Sequence, residues 1–147
     1  MFQIGTFDPY SDDPRLGIQK ISLCPLSETL VIGGTSGQVV GFQFEREEST
    51  KELSPVSVNI VSDRDNFVWK GHESLKVAEG EQKFAGGFQP TCVVQLQPPA
   101  AVTALAMHSE WQLLAAGTAH GLAVVDFAQK KEVSTKCTLN PSGKMSK

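Results

Sequence analysis

The chain has 147 residues, of which 40% are hydrophobic and 20% charged, and its formal net charge at pH 7 is −3. This length suffices for one ordinary domain, and the composition is that of a soluble globular protein. The small negative charge, without a basic stripe or an aromatic platform, argues against a general nucleic-acid binder. No apolar run approaches the roughly 18 residues that span a bilayer. The amino terminus lacks the basic start and apolar stretch of a signal peptide.

The cysteines and the single near-match to a glycosylation acceptor indicate the cellular compartment. Cys24, Cys92 and Cys137 are odd in number, far apart and outside any Cys-x-x-Cys pair. Asn140 is followed by proline, which removes it as a glycosylation acceptor. These features predict a cytoplasmic protein with reduced thiols.

The first strands are predicted from apolar residues that alternate with a period near two. The expected segments are Ile18–Leu23, Thr29–Gly34 and Gln38–Phe44. Tight turns are expected between them, at Pro25–Glu28 and Thr35–Gly37. Three short strands joined by tight turns predict an antiparallel meander.

The same pattern returns later in the chain. The second set of strands is expected at Val102–Met107, Trp111–Gly117, Gly121–Phe127 and Val133–Cys137. Aligning Ser27 with Ser109 and Gly34 with Gly117 places this second copy some way downstream with only single insertions between the copies. Recurrence of a unit of three or four strands is typical of a propeller or another repeat array.

The junction between the copies sets the predicted organisation. Thr91–Gln97 alternates like an outer strand and runs through two prolines into the second copy. We therefore expect an all-β fold, a fragment of a WD-repeat-type β-propeller with about two blades of antiparallel four-stranded sheet and a long insertion. The expected division is residues 1–17 as the outer strand of a preceding blade and a turn, 18–97 as a blade with an inserted loop at 45–90, 98–137 as the next blade, and 138–147 as the start of a loop that leads downstream.

The inserted loop is uneven in composition. Glu45–Glu52 is a charge cluster and Ala78–Gly87 is small and polar, so both are expected to be solvated and mobile. Between them, Val56–Val61 looks like a strand, and Phe67 and Trp69 form an apolar knot in polar sequence. The two aromatic residues either pin the loop to the flank of the blade or form an exposed partner-docking element. We take Phe67 and Trp69 as the candidate docking residues.

Motifs for phosphate binding and metal binding do not emerge from the sequence. Gly33–Gly37 lacks the lysine of a phosphate loop and lies between two predicted strands, so it is interpreted as a turn. His72, His108 and His120 have no metal-ligand spacing, and His120 is expected to stabilise a turn.

Acidic residues near the amino terminus are also interpreted as structural. Asp8, Asp12 and Asp13 lie among proline, serine and tyrosine, a composition typical of turns in which carboxylates accept backbone N–H bonds. No nucleophile has a visible base and orienting group. The sequence therefore predicts no enzyme, no cofactor and no metal.

Seven stretches carry a family resemblance in a constant order: Phe7–Leu16, Gly33–Val39, Asn66–Glu73, Gln97–Ala100, Gly117–Gly121, Asp126-Phe127 and Cys137–Pro141. With them the chain resembles the lethal giant larvae family of WD-repeat-like polarity proteins. The segment Val58–Asp65 is similar to the arthropod members in particular.

The resemblance implies a place in the second of two tandem seven-bladed propellers. Such proteins are non-enzymatic scaffolds of the cell cortex and plasma membrane that regulate apical–basal polarity, the cortical cytoskeleton and SNARE-dependent exocytosis. The implied partners are the atypical protein kinase C polarity complex, non-muscle myosin II and plasma-membrane syntaxin. Membrane contact is implied only through a serine-rich polybasic loop that follows the region matched here.

Two alternatives remain open. One is a tomosyn-like regulator of vesicle fusion that binds syntaxin. The other is a blade pair of an unrelated propeller enzyme, which would need acids, bases or metal ligands on its inner strands. Those strands offer mainly Ile21, Leu23, Leu105 and Met107, which disfavours the enzyme.

Overall fold

Short alternating segments separated by tight turns build this fold. The structure, a computed structural model, describes residues 17–62 and 80–139. These residues form strands and no helix, which confirms the all-β class. The strands in chain order are β1 (Ile18–Cys24), β2 (Thr29–Gly34), β3 (Gln38–Glu45), β4 (Ser49–Glu52), β5 (Val56–Asn59), β6 (Glu81–Phe84), β7 (Gly87–Gln97), β8 (Ala104–His108), β9 (Leu113–Thr118), β10 (Gly121–Asp126) and β11 (Lys131–Cys137).

The strands form two sheets and one ribbon. The first sheet has the order β1-β2-β3-β7-β5, the second has the order β11-β10-β9-β8, and β4 pairs with β6. Four strands of the first sheet and all four of the second are antiparallel meanders, as expected for a propeller fragment. In addition, β5 joins the outer edge of the first sheet in parallel with β7. The sequence predicted a strand here, at Val56–Val61, but not its place in this sheet.

The main core lies between the two sheets. Its buried members come from both sheets and from the segments around them: Val31, Val39, Val58, Ile60, Cys92, Val94, Leu96, Val102, Leu114, Ala116, Ala123 and Val125. Burial of a Val, Leu or Ile side chain stabilises a fold by about 1.5–3 kcal/mol, so this cluster is what holds one sheet against the other.

The link between the sheets is packed as tightly as the sheets themselves. Val102 is fully buried, and its backbone N–H donates to the Gly34 carbonyl at 2.9 Å. A Cβ placed on Gly33 would lie only 2.7 Å from Val102 Cγ1, so the glycine makes room for the valine. The sequence had predicted that this strand begins at Val102, but β8 begins at Ala104.

The first turn of each meander has the same backbone geometry. Glu28 and Gln112 in these turns are exposed non-glycine residues with a left-handed backbone, at φ 52° and 55°, as is Lys130 in the turn between β10 and β11, at φ 58°. The N–H of Glu28 donates to the Pro25 carbonyl at 3.4 Å, and that of Gln112 donates to the Ser109 carbonyl at 3.3 Å. Pro25 therefore corresponds to Ser109, and Glu28 corresponds to Gln112.

This equivalence corrects the alignment of the two copies. The pairing of Ser27 with Ser109 is wrong by two residues and that of Gly34 with Gly117 by one, because the repeated feature is the left-handed turn position and not the Ser-Glu dipeptide. The same turns bind the ends of the third strands: Phe44 N–H donates to the Glu28 carbonyl and Phe127 N–H donates to the Gln112 carbonyl, both at 3.0 Å.

The two segments of the insertion that were expected to be solvated are mostly exposed, but Phe84 within the second and Leu53 next to the first are buried. Leu53 and Phe84, from the β4–β6 ribbon and its end, form a second buried cluster with Val40, Phe42 and Val93. Adjacent strand residues point to opposite faces, and Val39 belongs to the core between the sheets. The ribbon therefore covers the face of the first sheet that points away from the second sheet.

The part of the insertion that contains β5 lies where the two sheets pack against each other. Val58 in β5 and Ile60 just after it are buried in the main core. A Cβ on Gly121 would lie 2.8 Å from Ile60 Cγ2, so Ile60 rests against the second sheet. The insertion thus runs from one face of the first sheet, around its outer edge, to the opposite face.

Candidate functional site

The predicted docking residues, Phe67 and Trp69, lie outside the described residues. The chain that precedes them is fixed: Ile60 N–H donates to the Gln97 carbonyl at 2.9 Å, and the Asn59 side chain accepts from Val61 N–H at 3.1 Å. The hypothesis that these two aromatics dock a partner stays a prediction.

A buried amide side chain shapes the corner where the β3–β7 hairpin turns into the β4–β6 ribbon. Gln89 is fully buried. Its Nε2 donates to the carbonyls of Glu47 at 2.9 Å and Ala85 at 3.0 Å, and its Oε1 accepts from Ser49 Oγ at 2.6 Å. Since a buried amide is costly unless it is paired, these bonds define one geometry for the corner.

An open groove of about 640 Å³ lies at this corner. Its lining residues are Glu28, Phe44, Glu45, Arg46, Glu47, Glu48, Ser49, Lys51 and Gln89. Lys83 Nζ lies 3.3 Å from Glu48 Oε1, and both side chains are largely exposed, so this ion pair stabilises little. With four carboxylates against two cations in the lining, the groove is acidic overall.

An exposed aromatic pair borders the groove. Phe44 and Phe88 are cross-strand partners whose rings meet edge to face, with centroids 5.5 Å apart and an interplanar angle of 76°. Such a pair stabilises a sheet by about 0.5–1.5 kcal/mol beyond its buried area. The sequence analysis did not identify Phe88, because a β-bulge in β7 makes its partnership with Phe44 invisible before the register is known.

Two neighbouring turns present further apolar side chains. Leu26 is 98% exposed and Trp111 is 69% exposed. The Trp111 ring stacks on His108 with centroids 4.3 Å apart. Cys24 Sγ donates to Ser109 Oγ at 3.6 Å, which joins the two turns at the same end of the molecule. Trp111 was predicted to start a strand, but it lies in the turn before β9.

Of the three cysteines, Cys24 has the thiol best suited to react. Hydrogen bonds from the Ser27 side chain and backbone, and then from the Ser109 side chain, lower the pKa of Cys24 to about 7. A thiol with this pKa is substantially thiolate at neutral pH and therefore nucleophilic. Burial instead raises the pKa of Cys92 above its usual value.

The histidines and acidic residues form no metal site in the described ranges. Within residues 17–62 and 80–139, no group of three or more His, Cys, Asp and Glu side chains could hold an ion. Burial lowers the pKa of His120 below its usual value. In the turn there, the His120 N–H donates to the side-chain hydroxyl Oγ1 of Thr118 at 3.1 Å, and the Thr138 N–H donates to the His120 carbonyl at 3.0 Å. The remaining candidates, His72, Asp8, Asp12 and Asp13, are among the residues not described.

A search for long apolar helices that could cross a membrane finds none in the described part of the chain. No protein-family model matches the sequence.

Several curated proteins are similar to the chain over nearly all of its length. The human LLGL scribble cell polarity complex component 2 is 48% identical over 143 residues, which is 97% of this chain and 14% of the relative. The rat lethal(2) giant larvae protein homolog 1 is 46% identical over 140 residues, 95% of this chain and 14% of the relative. The lethal(2) giant larvae protein of Drosophila melanogaster is 44% identical over 144 residues, 94% of this chain and 12% of the relative. The chain thus spans about one seventh of the length of these relatives.

Proposed function

We propose that this chain, which belongs to the lethal giant larvae family, is a non-enzymatic, protein-binding segment of a polarity scaffold. The observation that carries the proposal is the identity of 44–48% over almost the whole chain with proteins of insect and vertebrate origin. The human relative is named as a component of the scribble cell polarity complex, and we transfer a role in cell polarity to this chain as part of the proposal.

The proposed role of the longer protein has three parts. It regulates apical–basal polarity, the cortical cytoskeleton and SNARE-dependent exocytosis at the cytoplasmic side of the cell cortex. Its proposed partners are the atypical protein kinase C polarity complex, non-muscle myosin II and plasma-membrane syntaxin.

We further propose that residues 18–97 and 98–137 are two successive propeller blades, the first with its insertion at 45–90. The repeated left-handed turns and the packing of one meander on the other support this division. Residues 1–17 would then belong to a preceding blade, and 138–147 to a loop that leads onward.

The described surface is suited to binding more than to catalysis. It exposes apolar and aromatic side chains on turns and near strand ends, among them Leu26, Trp111, Phe44 and Phe88. Aromatic residues in such positions are common at the centres of protein interfaces. We propose the loop with Phe67 and Trp69 as an additional docking element.

A chimera tests the proposed function. The matched segment of the Drosophila relative is replaced by residues 1–147, and the chimera is expressed in epithelial cells that lack their own protein. We expect cortical localisation and co-purification with the kinase complex at levels close to the parent. A folded chimera that stays diffuse and binds none of the three partners contradicts the proposal.

Single substitutions in the chimera test which of the proposed docking surfaces binds which partner. Trp69→Ala and Trp111→Ala are compared with Val133→Ala, an exposed residue of the β11 edge. Loss of one partner in a tryptophan variant alone assigns that surface. A chimera that binds syntaxin but fails to restore polarity favours the tomosyn-like alternative.

A further inference from the structure

A serine hydroxyl connects the β4–β6 ribbon to the buried amide at the corner of the insertion. Ser49, the first residue of β4, donates its hydroxyl hydrogen to Gln89 Oε1 at 2.6 Å. Gln89 is fully buried, and its Nε2 donates to the carbonyls of Glu47 and Ala85, one on each arm of the ribbon. The hydroxyl of Ser49 therefore completes the set of hydrogen bonds that defines the corner.

The position of Ser49 gives an enzyme access to it. Ser49 is half-buried and lines the open groove of about 640 Å³. Among the residues that the structure describes, the four-residue strand β4 pairs with β6 alone, so its other edge is open. Glu52 lies opposite Glu81 in the ribbon, and like charges that face each other across strands are destabilising. These features favour local opening of β4, which presents Ser49 in an extended segment.

The residues around Ser49 are mainly acidic. Glu47 and Glu48 precede it, and Glu52 follows it three positions later, with Lys51 as the cation between them. An enzyme with a basic substrate groove selects such a segment through charge complementarity, whereas an acidic groove repels it. The segment therefore fits a serine kinase that recognises acidic sequences.

We propose that Ser49 is a phosphorylation site for an acid-directed serine kinase, and that its phosphorylation opens the corner of the insertion. In this step Ser49 Oγ forms a bond to the γ-phosphorus of ATP, while the bond from that phosphorus to the β–γ bridging oxygen breaks. ADP leaves, and the hydroxyl proton passes to a base of the kinase.

Phosphorylation changes the corner in two ways. The modified Oγ has no hydrogen to donate, so the buried Gln89 Oε1 loses its donor, and a buried acceptor without a donor is costly. The phosphate also brings a charge of about −1.5 to −2 into the groove, whose lining already holds four carboxylates against two cations. Both effects favour release of the ribbon, which withdraws Leu53 and Phe84 from the buried cluster and uncovers Phe42 and Val93.

The modification thus exposes an apolar face of the first sheet on demand. The acidic site lies within the insertion and differs in charge from the polybasic loop that the family resemblance implies downstream. The inference does not depend on the polarity role, because it concerns the purified chain, so a chimera that is inactive in cells leaves it standing.

Phosphorylation of the purified 147-residue chain tests the site. The chain is incubated under native conditions with ATP and casein kinase II, an acid-directed enzyme, and phosphate on each serine and threonine is followed by peptide-resolved mass spectrometry. Ser49 should be modified to near completion. Glu52→Gln should slow this reaction at least about tenfold, because it removes the acidic residue that follows the serine.

The matched control is Glu81→Gln. Glu52 and Glu81 are exposed partners in the ribbon, so either substitution relieves the same repulsion. Glu81 is distant from Ser49 in the sequence, however, and its replacement should leave the rate of phosphorylation close to that of the parent. A difference between the two variants therefore reports on recognition by the kinase and not on the stability of the ribbon.

Hydrogen exchange tests the opening of the corner. After phosphorylation of Ser49, the amides of residues 81–89 should exchange at least about fivefold faster, the equivalent of a lost hydrogen bond to a buried acceptor. Amides of β9 and β10 should keep their protection, which also shows that the chain stays folded. Unmodified Ser49→Ala, which loses the hydrogen bond but gains no charge, should accelerate exchange less.

Three results would overturn the proposal. A chain with protected β9 and β10 amides that takes up no phosphate on Ser49 shows that the corner does not admit the kinase. Equal rates for Glu52→Gln and Glu81→Gln show that the acidic residues do not direct the enzyme. Unchanged exchange of residues 81–89 in the phosphorylated chain shows that the modification does not release the ribbon.

Discussion

The two sheets are built on the same meander but close it in different ways. In the second sheet, β10 passes to β11 through a short turn in which Asp126 Oδ1 accepts from the N–H groups of Ala128 at 3.0 Å and Gln129 at 2.9 Å. In the first sheet the same connection is replaced by the insertion, which adds a fifth strand and the β4–β6 ribbon. The comparison teaches that the inner turns define the repeat, whereas the connection to the outer strand varies.

The insertion has become part of the structure of the first sheet. It fills the main core on one side with Val58 and Ile60, and covers the opposite face with Leu53 and Phe84. Among the residues that the structure describes, the connection between β10 and β11 makes neither contribution to the second sheet. Substitutions in one sheet therefore test whether the insertion makes the stability of the first sheet depend on contacts that the second sheet lacks.

The largest effect is expected from the ribbon cluster. Phe84→Ala should destabilise the first sheet by about 3–5 kcal/mol, the usual cost of removing a buried phenylalanine ring. Hydrogen exchange of the β3 amides measures the change. Phe88→Ala, which removes a ring of the exposed pair, should cost only about 0.5–1.5 kcal/mol. Equal exchange in the two variants would mean that the ribbon is not packed on β3.

The second-largest effect is expected from a substitution of Gln89, at the corner where the β3–β7 hairpin turns into the β4–β6 ribbon. Gln89→Leu removes the donor to two backbone carbonyls and the acceptor for Ser49, at an expected cost of about 1–3 kcal/mol. Because the corner then opens, trypsin should cleave after Arg46 sooner than in the parent chain.

The control is Gln95→Leu. Gln95 is also buried, and its Nε2 donates to the Ser36 carbonyl at 3.0 Å, away from the corner. This variant should leave cleavage after Arg46 unchanged. Faster cleavage in both variants would indicate general loosening.

Equivalent glycines of the two sheets give a matched comparison. Gly33→Ala forces a methyl group against Val102 and should cost about 1–3 kcal/mol, since overpacking of a core is destabilising. At the corresponding position of the second sheet, a Cβ on Gly117 would lie 3.5 Å from Ala104 Cβ, an ordinary contact. Gly117→Ala should therefore be neutral or slightly stabilising.

The buried thiol of Cys92 reports on this difference. Its alkylation requires the core to open, so Gly33→Ala should accelerate it by roughly 5- to 150-fold, the equivalent of the expected cost. Identical alkylation rates in the Gly33→Ala and Gly117→Ala variants would show that the link between the sheets is loose at Val102.

The smallest expected effect concerns the contact between the two inner turns. Alkylation of Cys24 should reach half its maximal rate near pH 7, its lowered pKa, because the thiolate is the reacting species. Ser27→Ala removes the main cause of that shift, so the midpoint should move to higher pH. Ser109→Ala should move it in the same direction but less. A midpoint that does not move in either variant would mean that these hydroxyls do not stabilise the thiolate.

Much of the fold could be predicted because it depends on local signals. The alternation in Gln38–Phe44 and Gly121–Phe127 gave strands that the structure has within one residue at each end. The pairing of β1 with β2 and β3, and of β8 with β9 and β10, followed from tight turns, whereas the place of β7 was inferred from the alternation of Thr91–Gln97. The errors at Val102 and Trp111 concern two good strand residues that make other contacts: Val102 packs against Gly33 from the other sheet, and the Trp111 ring stacks on His108 within its own turn.

The structure of the insertion was harder to predict from the sequence, for a physical reason. The ribbon strands Ser49–Glu52 and Glu81–Phe84 are mostly polar, and each cluster contact depends on a single apolar residue, Leu53 or Phe84. Isolated apolar residues of this kind produce no hydrophobic periodicity from which a strand could be predicted. The candidate docking residues Phe67 and Trp69 were recognised from composition alone, whereas the Phe44–Phe88 pair required knowledge of the strand register.

The left-handed turn residues have a practical consequence for protein engineering. Glu28, Gln112 and Lys130 each hold a backbone conformation that costs a non-glycine residue about 1 kcal/mol or more. Asparagine tolerates this conformation better and does not add the chain freedom that glycine brings to the unfolded state. Replacing all three residues with asparagine should therefore raise the melting temperature without touching the core, and would yield a more robust chain for crystallisation and binding assays.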